Sequence, residues 1–147
     1  MDENRITLQR SYATARRRVF DAWTRPPLLR RWAFGRHHFG TKSVRLDLFI
    51  GGRIELIKRG AGASRRWGTF REVHAPGHLQ FTWASDDLSL PSEMSRVTVD
   101  IEGTERESTL TLTQEGLPDA ESREQSRELW EELLESLDAF LADPAGT

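Results

Sequence analysis

The side chains in this sequence with chemistry to offer are its histidines, a charged pair at Arg71-Glu72, and an unusual number of tryptophans. His37-His38 suggests a metal or acid–base site, but adjacent residues on an extended segment point to opposite faces, so the pair reads as loop residues. His74 and His78 flank Ala75-Pro76-Gly77 and can approach across that turn, yet two imidazoles without a third donor are a weak zinc signature. No Ser–His–acid order, glycine-rich phosphate loop or paired-carboxylate motif stands out. The sequence therefore assigns no catalytic residue, no metal ligand and no cofactor.

Five tryptophans in 147 residues are many, and each offers a large apolar ring with one N–H donor. Trp32, Trp67, Trp83 and Trp130, with Phe34, Phe70, Phe81 and Leu134, are the expected walls of an apolar pocket, whereas Trp23 reads as ordinary core packing. Trp67 and Phe70 have opposite parity and cannot both face inward on an unbulged strand. Arg71 and Glu72 also differ in parity. Whichever of them faces inward is the expected polar anchor for a ligand, because a buried charge requires a partner.

These residues must be held by elements that the periodicity outlines. Arg5 to Tyr12 alternates as a half-buried first strand. Ala15 to Thr24 takes helical spacing through Val19, Phe20 and Trp23, with Thr14 expected as its N-cap. Pro26-Pro27 stops that helix, and Pro27 can open a second short one over Leu28 to Trp32. From Thr41 to Gln114 the period is close to two. Val44 to Leu48 turns at Gly51-Gly52 into Arg53 to Lys58; Trp67 to Val73 turns at Ala75-Pro76-Gly77 into Leu79 to Ala84. A loop is expected at Ser85 to Ser92, followed by a hairpin through Val97, Val99 and Ile101 and through Leu110 and Leu112. Asp119 and the pair Ser122, Gln125 signal the start of a long amphipathic helix. Trp130, Leu133, Leu134, Leu137, Phe140 and Leu141 form its apolar stripe, glutamates its solvated face, and Pro144 and Gly146 its end.

Such an order can bury every apolar face in few ways. The fold class expected is α+β: a curved antiparallel sheet wrapped around the long C-terminal helix, with two short helices after the first strand. One domain over 1–147 is expected, with an ordered core of about 5–142. The absence of cysteine excludes disulfides and thiolate metal sites and favours a cytoplasmic location. No apolar run approaches the roughly 20 residues that span a bilayer, so no membrane role is expected. Residues 1–74 carry 17 Arg or Lys against 6 Asp or Glu, and residues 75–147 carry 4 against 17. We read this division as segments that interleave and screen each other, not as a nucleic-acid surface.

The run Val19-Phe20-Asp21-Ala22-Trp23-Thr24-Arg25-Pro26-Pro27-Leu28-Leu29-Arg30-Arg31-Trp32 resembles the opening of small proteins similar to the C-terminal domain of the heat-shock protein 90 ATPase activator, in the START-like (SRPBCC), helix-grip superfamily. Asp47 to Arg53, Gly68 to Val73, Leu79 to Trp83 and Leu110 to Pro118 extend the resemblance over nearly the whole chain, ending at Trp130. It implies a helix-grip fold with a pocket between sheet and helix, often used for hydrophobic small molecules. Related branches include polyketide cyclases and lipid carriers. The family often has a His-x-x-Gly-Trp-like approach to the helix tryptophan. Here Ser126-Arg127-Glu128-Leu129 precedes Trp130, so no role of that histidine carries over. A separate N-terminal chaperone-binding domain is also missing, which weighs against stimulation of the chaperone ATPase.

The expected function is binding of a small hydrophobic or amphipathic molecule. A cyclase- or dehydratase-like enzyme is the alternative, and it requires at least two titratable groups inside the cavity. A chaperone or homodimer partner role is a further alternative.

Overall fold

The structure, a computed structural model, describes residues 4–33, 41–58, 64–86 and 90–143. It places β1 (Ile6–Tyr12), α1 (Arg16–Thr24), α2 (Pro26–Leu29), β2 (Thr41–Leu46), β3 (Arg53–Lys58), β4 (Arg65–His74), β5 (His78–Ser85), β6 (Leu90–Gly103), β7 (Ser108–Glu115) and α3 (Ala120–Ala142) in chain order. Seven strands make one antiparallel curved sheet in the order β1-β7-β6-β5-β4-β3-β2. Consecutive hairpins account for every neighbour except one. β1 pairs with β7, setting Leu8 opposite Leu112 and Arg10 opposite Leu110.

The helix-grip architecture expected from the sequence is thus observed. The α3 stripe is buried as its spacing predicts: Trp130, Leu133, Leu134, Leu137, Phe140 and Leu141 join inward residues of the sheet in one core cluster. Removing each such side chain from water contributes on the order of 1.5–3 kcal/mol. No helix among the described residues is long and apolar enough to cross a membrane.

Both ends of α3 are tied down. Asp119 is the N-cap, its Oδ1 accepting from the Ser122 N–H at 2.8 Å. At the other end Arg18 donates to the main-chain oxygens of Leu141 at 2.6 Å and Asp143 at 3.2 Å. A cation there meets carbonyls that have no partner within the helix, and the negative end of its dipole.

Three local expectations are corrected. Thr14 does not cap α1: the N-cap is Ala15, without a side-chain bond. The Arg16 N–H is satisfied instead by the carbonyl of Thr104 at 3.0 Å, a partner that only the folded chain supplies. The second helix begins at Pro26 and ends at Leu29, continuing as turns in which Trp32 and Ala33 donate to the Leu29 carbonyl at 3.2 and 3.0 Å. The loop expected through Ser92 ends earlier, because Leu90 pairs with Ser85 and starts β6.

The β2–β3 turn does use its glycines. Gly51 takes φ +89°, and a Cβ on Gly52 would lie 2.0 Å from the Asp47 carbonyl oxygen.

Candidate functional site

β4 decides which side chains reach the interior. From Arg66 to Phe70 the even residues are buried on the side of the core, and Phe70 packs edge-on against Phe81 at 5.8 Å. A bulge between Phe70 and Glu72 then adds one residue, and the inward parity switches to odd, so Val73 packs against the core. Arg71 and Glu72 are both exposed, which corrects the expectation that one of them anchors a ligand inside. Trp67 lies before the bulge on the parity opposite to Phe70. It is buried, but outside the core cluster, under the Arg65 guanidinium at 4.1 Å from its ring centre.

Between sheet and α3, Trp32, Phe81, Trp83 and Trp130 come together, joined by Trp23, Leu29 and Leu133. Phe70 and Leu134 are buried in the same core but do not line the gap. Phe34 and His37-His38 lie outside the described residues. Trp23, expected as plain packing, is part of the wall. Its ring stands at 4.8 Å from Trp32 and 6.0 Å from Trp130, while Trp83 approaches Trp130 at 5.5 Å.

The residual cavity is about 10 Å³, at the limit of what admits one water. Larger hollows of about 690 and 590 Å³ are open grooves on the surface, meeting at Ser11, Tyr12 and Ala13 and bordered by charged side chains such as Arg106 and Arg18. They share no residue with the interior gap.

The polar atoms of the wall divide into spent and unspent. Trp32 Nε1 donates to the Ala22 carbonyl at 3.0 Å, and Trp130 Nε1 to Gln114 Oε1 at 2.9 Å. Gln114 Nε2 in turn donates to Ser95 Oγ at 3.0 Å, and Ser95 Oγ donates to the Trp83 carbonyl at 2.8 Å. Trp23 Nε1 and Trp83 Nε1 are buried and donate to nothing among the described residues. An unmet buried donor costs on the order of 1–3 kcal/mol, so two in one lining demand an explanation.

Sequence reasoning missed Arg66. It is 5% exposed on the inward parity of β4 and donates through Nη1 to the carbonyl of Ala33, a lining residue, at 3.3 Å. Arg66 shares parity with Phe70, so the signal existed once Phe70 was known to face inward. Gln114 was similarly readable, as the next inward position after Leu110 and Leu112.

The outer face of the sheet carries two charged clusters. Glu93 accepts from Thr82 at 2.6 Å and Thr69 at 2.8 Å and pairs with Arg53 at 3.1 Å. Burial pushes its carboxyl up, but these bonds outweigh it and hold the pKa below the ordinary value. His78 lies between Asp100, 2.5 Å from Nδ1, and Glu72, 2.7 Å from Nε2. Burial lowers its pKa, and the bonds and charges of the two carboxylates raise it further than burial lowers it. Both ring nitrogens face carboxylate oxygens, an arrangement that favours the imidazolium form over the neutral ring. His74 stands with its ring 5.7 Å away, and among the described residues no group of three such side chains could hold a metal ion.

A long helix gripped by a curved antiparallel sheet, with a helix pair after the first strand and an aromatic gap between the layers, defines a helix-grip domain. The chain belongs to the family described as activator of Hsp90 ATPase homolog 1-like protein, whose model matches residues 13–142. Solved structures with the same fold include a Chromobacterium violaceum protein, 24% identical with a TM-score of 0.80, covering 95% of this chain and 98% of that one. An AHSA1 protein from Silicibacter pomeroyi is 23% identical with a TM-score of 0.79, covering 94% and 97%. An HSP90 activator from Plasmodium falciparum is 22% identical with a TM-score of 0.74, covering 95% and 97%. Among curated proteins nothing matches.

Proposed function

We propose that this protein binds a small hydrophobic or amphipathic molecule between the sheet and α3. The observation that carries the reading is the pair of unmet indole donors, Trp23 Nε1 and Trp83 Nε1, in a wall otherwise made of apolar side chains. Apolar walls supply affinity and a few polar groups fix orientation. The gap as it stands is the closed state, in which side chains occupy the ligand's space. Opening moves Leu29, Trp32 and Ala33 away from Ile54 and Leu56, across a contact to which a four-residue helix and the Arg66 bond to Ala33 contribute. A ligand pulls this equilibrium toward the open form by its preference for it.

The test is a broad panel of apolar and amphipathic compounds, read by melting temperature and tryptophan fluorescence. A ligand of the folded state must raise the first, and one seated among four indoles must change the second. If no class of compound does either, the binding reading falls. The cyclase-like alternative finds no support, since no titratable side chain lines the gap among the described residues.

One observation favours a second reading, a chaperone-directed partner role suggested by the family's description. Phe49 and Ile50 are 60% and 69% exposed at the β2–β3 turn, which is fixed by bonds from Gly51 N–H to the Phe70 carbonyl and from Gly52 N–H to the Phe49 carbonyl, both 2.8 Å. Retention of an Hsp90 chaperone at low salt, lost in the Phe49→Ser, Ile50→Ser double variant, is the expected result. No retention by the unmodified chain removes this reading.

A further inference from the structure

We infer that the ligand of the interior gap is a neutral molecule that brings a hydrogen-bond acceptor, a ketone, ester or ether oxygen on an apolar body, and no donor. The inference rests on the binding reading above and narrows it to a chemical class. Its basis is an inventory of what the wall can exchange. Among the described residues the lining side chains are Trp, Leu, Ile, Phe and Ala, none of which carries an acceptor. An indole nitrogen donates and cannot accept.

Two of the four indole donors are spent inside the protein, on Ala22 and Gln114, and two are not, on Trp23 and Trp83. The unspent pair flanks Trp130, whose ring lies 6.0 Å from that of Trp23 and 5.5 Å from that of Trp83. A ring-sized body seated against Trp130 therefore adjoins both indoles whose donors are unspent.

The chemistry of exclusion follows from the same inventory. An alcohol or amine entering the gap loses water around its own N–H or O–H and meets no side-chain acceptor in return. A carboxylate meets no cation among the described lining residues. A hydrocarbon fits but leaves both indoles as they were. A carbonyl or ether oxygen converts an existing unmet donor into a hydrogen bond without stranding a donor or a charge of its own, so it discriminates more strongly than shape does.

The experiment compares acetophenone with α-methylstyrene, which has nearly the same shape but replaces the carbonyl by a carbon–carbon double bond, and with 1-phenylethanol. The ¹⁵N-labelled full chain and its Leu133→Ala variant, which opens room on the same wall, are titrated while the five indole N–H signals are followed. Trp23→Phe and Trp83→Phe assign two of those signals. Acetophenone is expected to bind tightest of the three and to move the Trp23 or Trp83 signal downfield. Its advantage over α-methylstyrene should fall about fivefold in the matching Phe variant. Equal binding of the pair, with neither indole moving downfield, overturns the acceptor inference and leaves apolar binding standing. Failure of all three compounds to bind either the unmodified chain or Leu133→Ala overturns the inference; the broad panel above then separately decides the binding reading.

Discussion

Trp130 on α3 donates its indole N–H to Gln114 Oε1 on β7 at 2.9 Å, and the two side chains are 2% and 0% exposed. The terminal helix is therefore fixed to the sheet by direction as well as by apolar area. Packing alone tolerates sliding by a fraction of a turn, whereas a buried hydrogen bond that continues to Ser95 and the Trp83 carbonyl does not.

Replacing Gln114 by Leu keeps the volume and strands the Trp130 donor. The expected loss is about 1–3 kcal/mol in urea denaturation. In a Trp130→Phe background the same replacement should cost at least about 1 kcal/mol less, since the donor is already gone. Equal costs in the two backgrounds would show that the bond couples nothing.

His78 should make stability depend on pH in the direction opposite to a paired carboxylate. Its folded pKa is raised above the ordinary 6.5, so its contribution is complete below that value and disappears as pH rises through the folded pKa. Compared with His78→Gln between about pH 5.5 and 9, the unmodified protein should hold its largest advantage at the acid end. An advantage that grows toward alkaline pH would contradict the Asp100–His78–Glu72 arrangement. NMR titration of the ring should independently give a pKa above 6.5.

Arg18→Ala removes the donor that meets the Leu141 and Asp143 carbonyls. We expect a loss of about 1–2 kcal/mol and faster amide exchange confined to the last turns of α3. Arg18→Lys keeps the charge but not the fork, so it should recover part of the stability.

Gly68 on β4 lies against the β5 backbone, and a Cβ there would lie 1.7 Å from the Thr82 carbonyl oxygen. Backbone cannot yield as a flexible side chain can. Gly68→Ala should cost about 3 kcal/mol or prevent folding, read by thermal unfolding and by dispersion of the amide spectrum.

Local periodicity was enough to specify the amphipathic stripe from Trp130 to Leu141, the hairpin phase of Val97, Val99, Leu110 and Leu112, and hence the layer arrangement, because apolar spacing at 3.6 and at 2 residues selects the buried face of each element. It could not say which residues of β4 face inward. A single extra residue after Phe70 reverses the alternation and sends both Arg71 and Glu72 outward, while the buried charge falls to Arg66 instead. Nor could it sort the tryptophans, because whether an indole N–H is met depends on an acceptor carried by another element: Gln114 for Trp130, Ala22 for Trp32, and none among the described residues for Trp23 or Trp83. Burial is largely a property of a segment's own pattern, but hydrogen-bond satisfaction belongs to pairs of segments and exists only once they are packed.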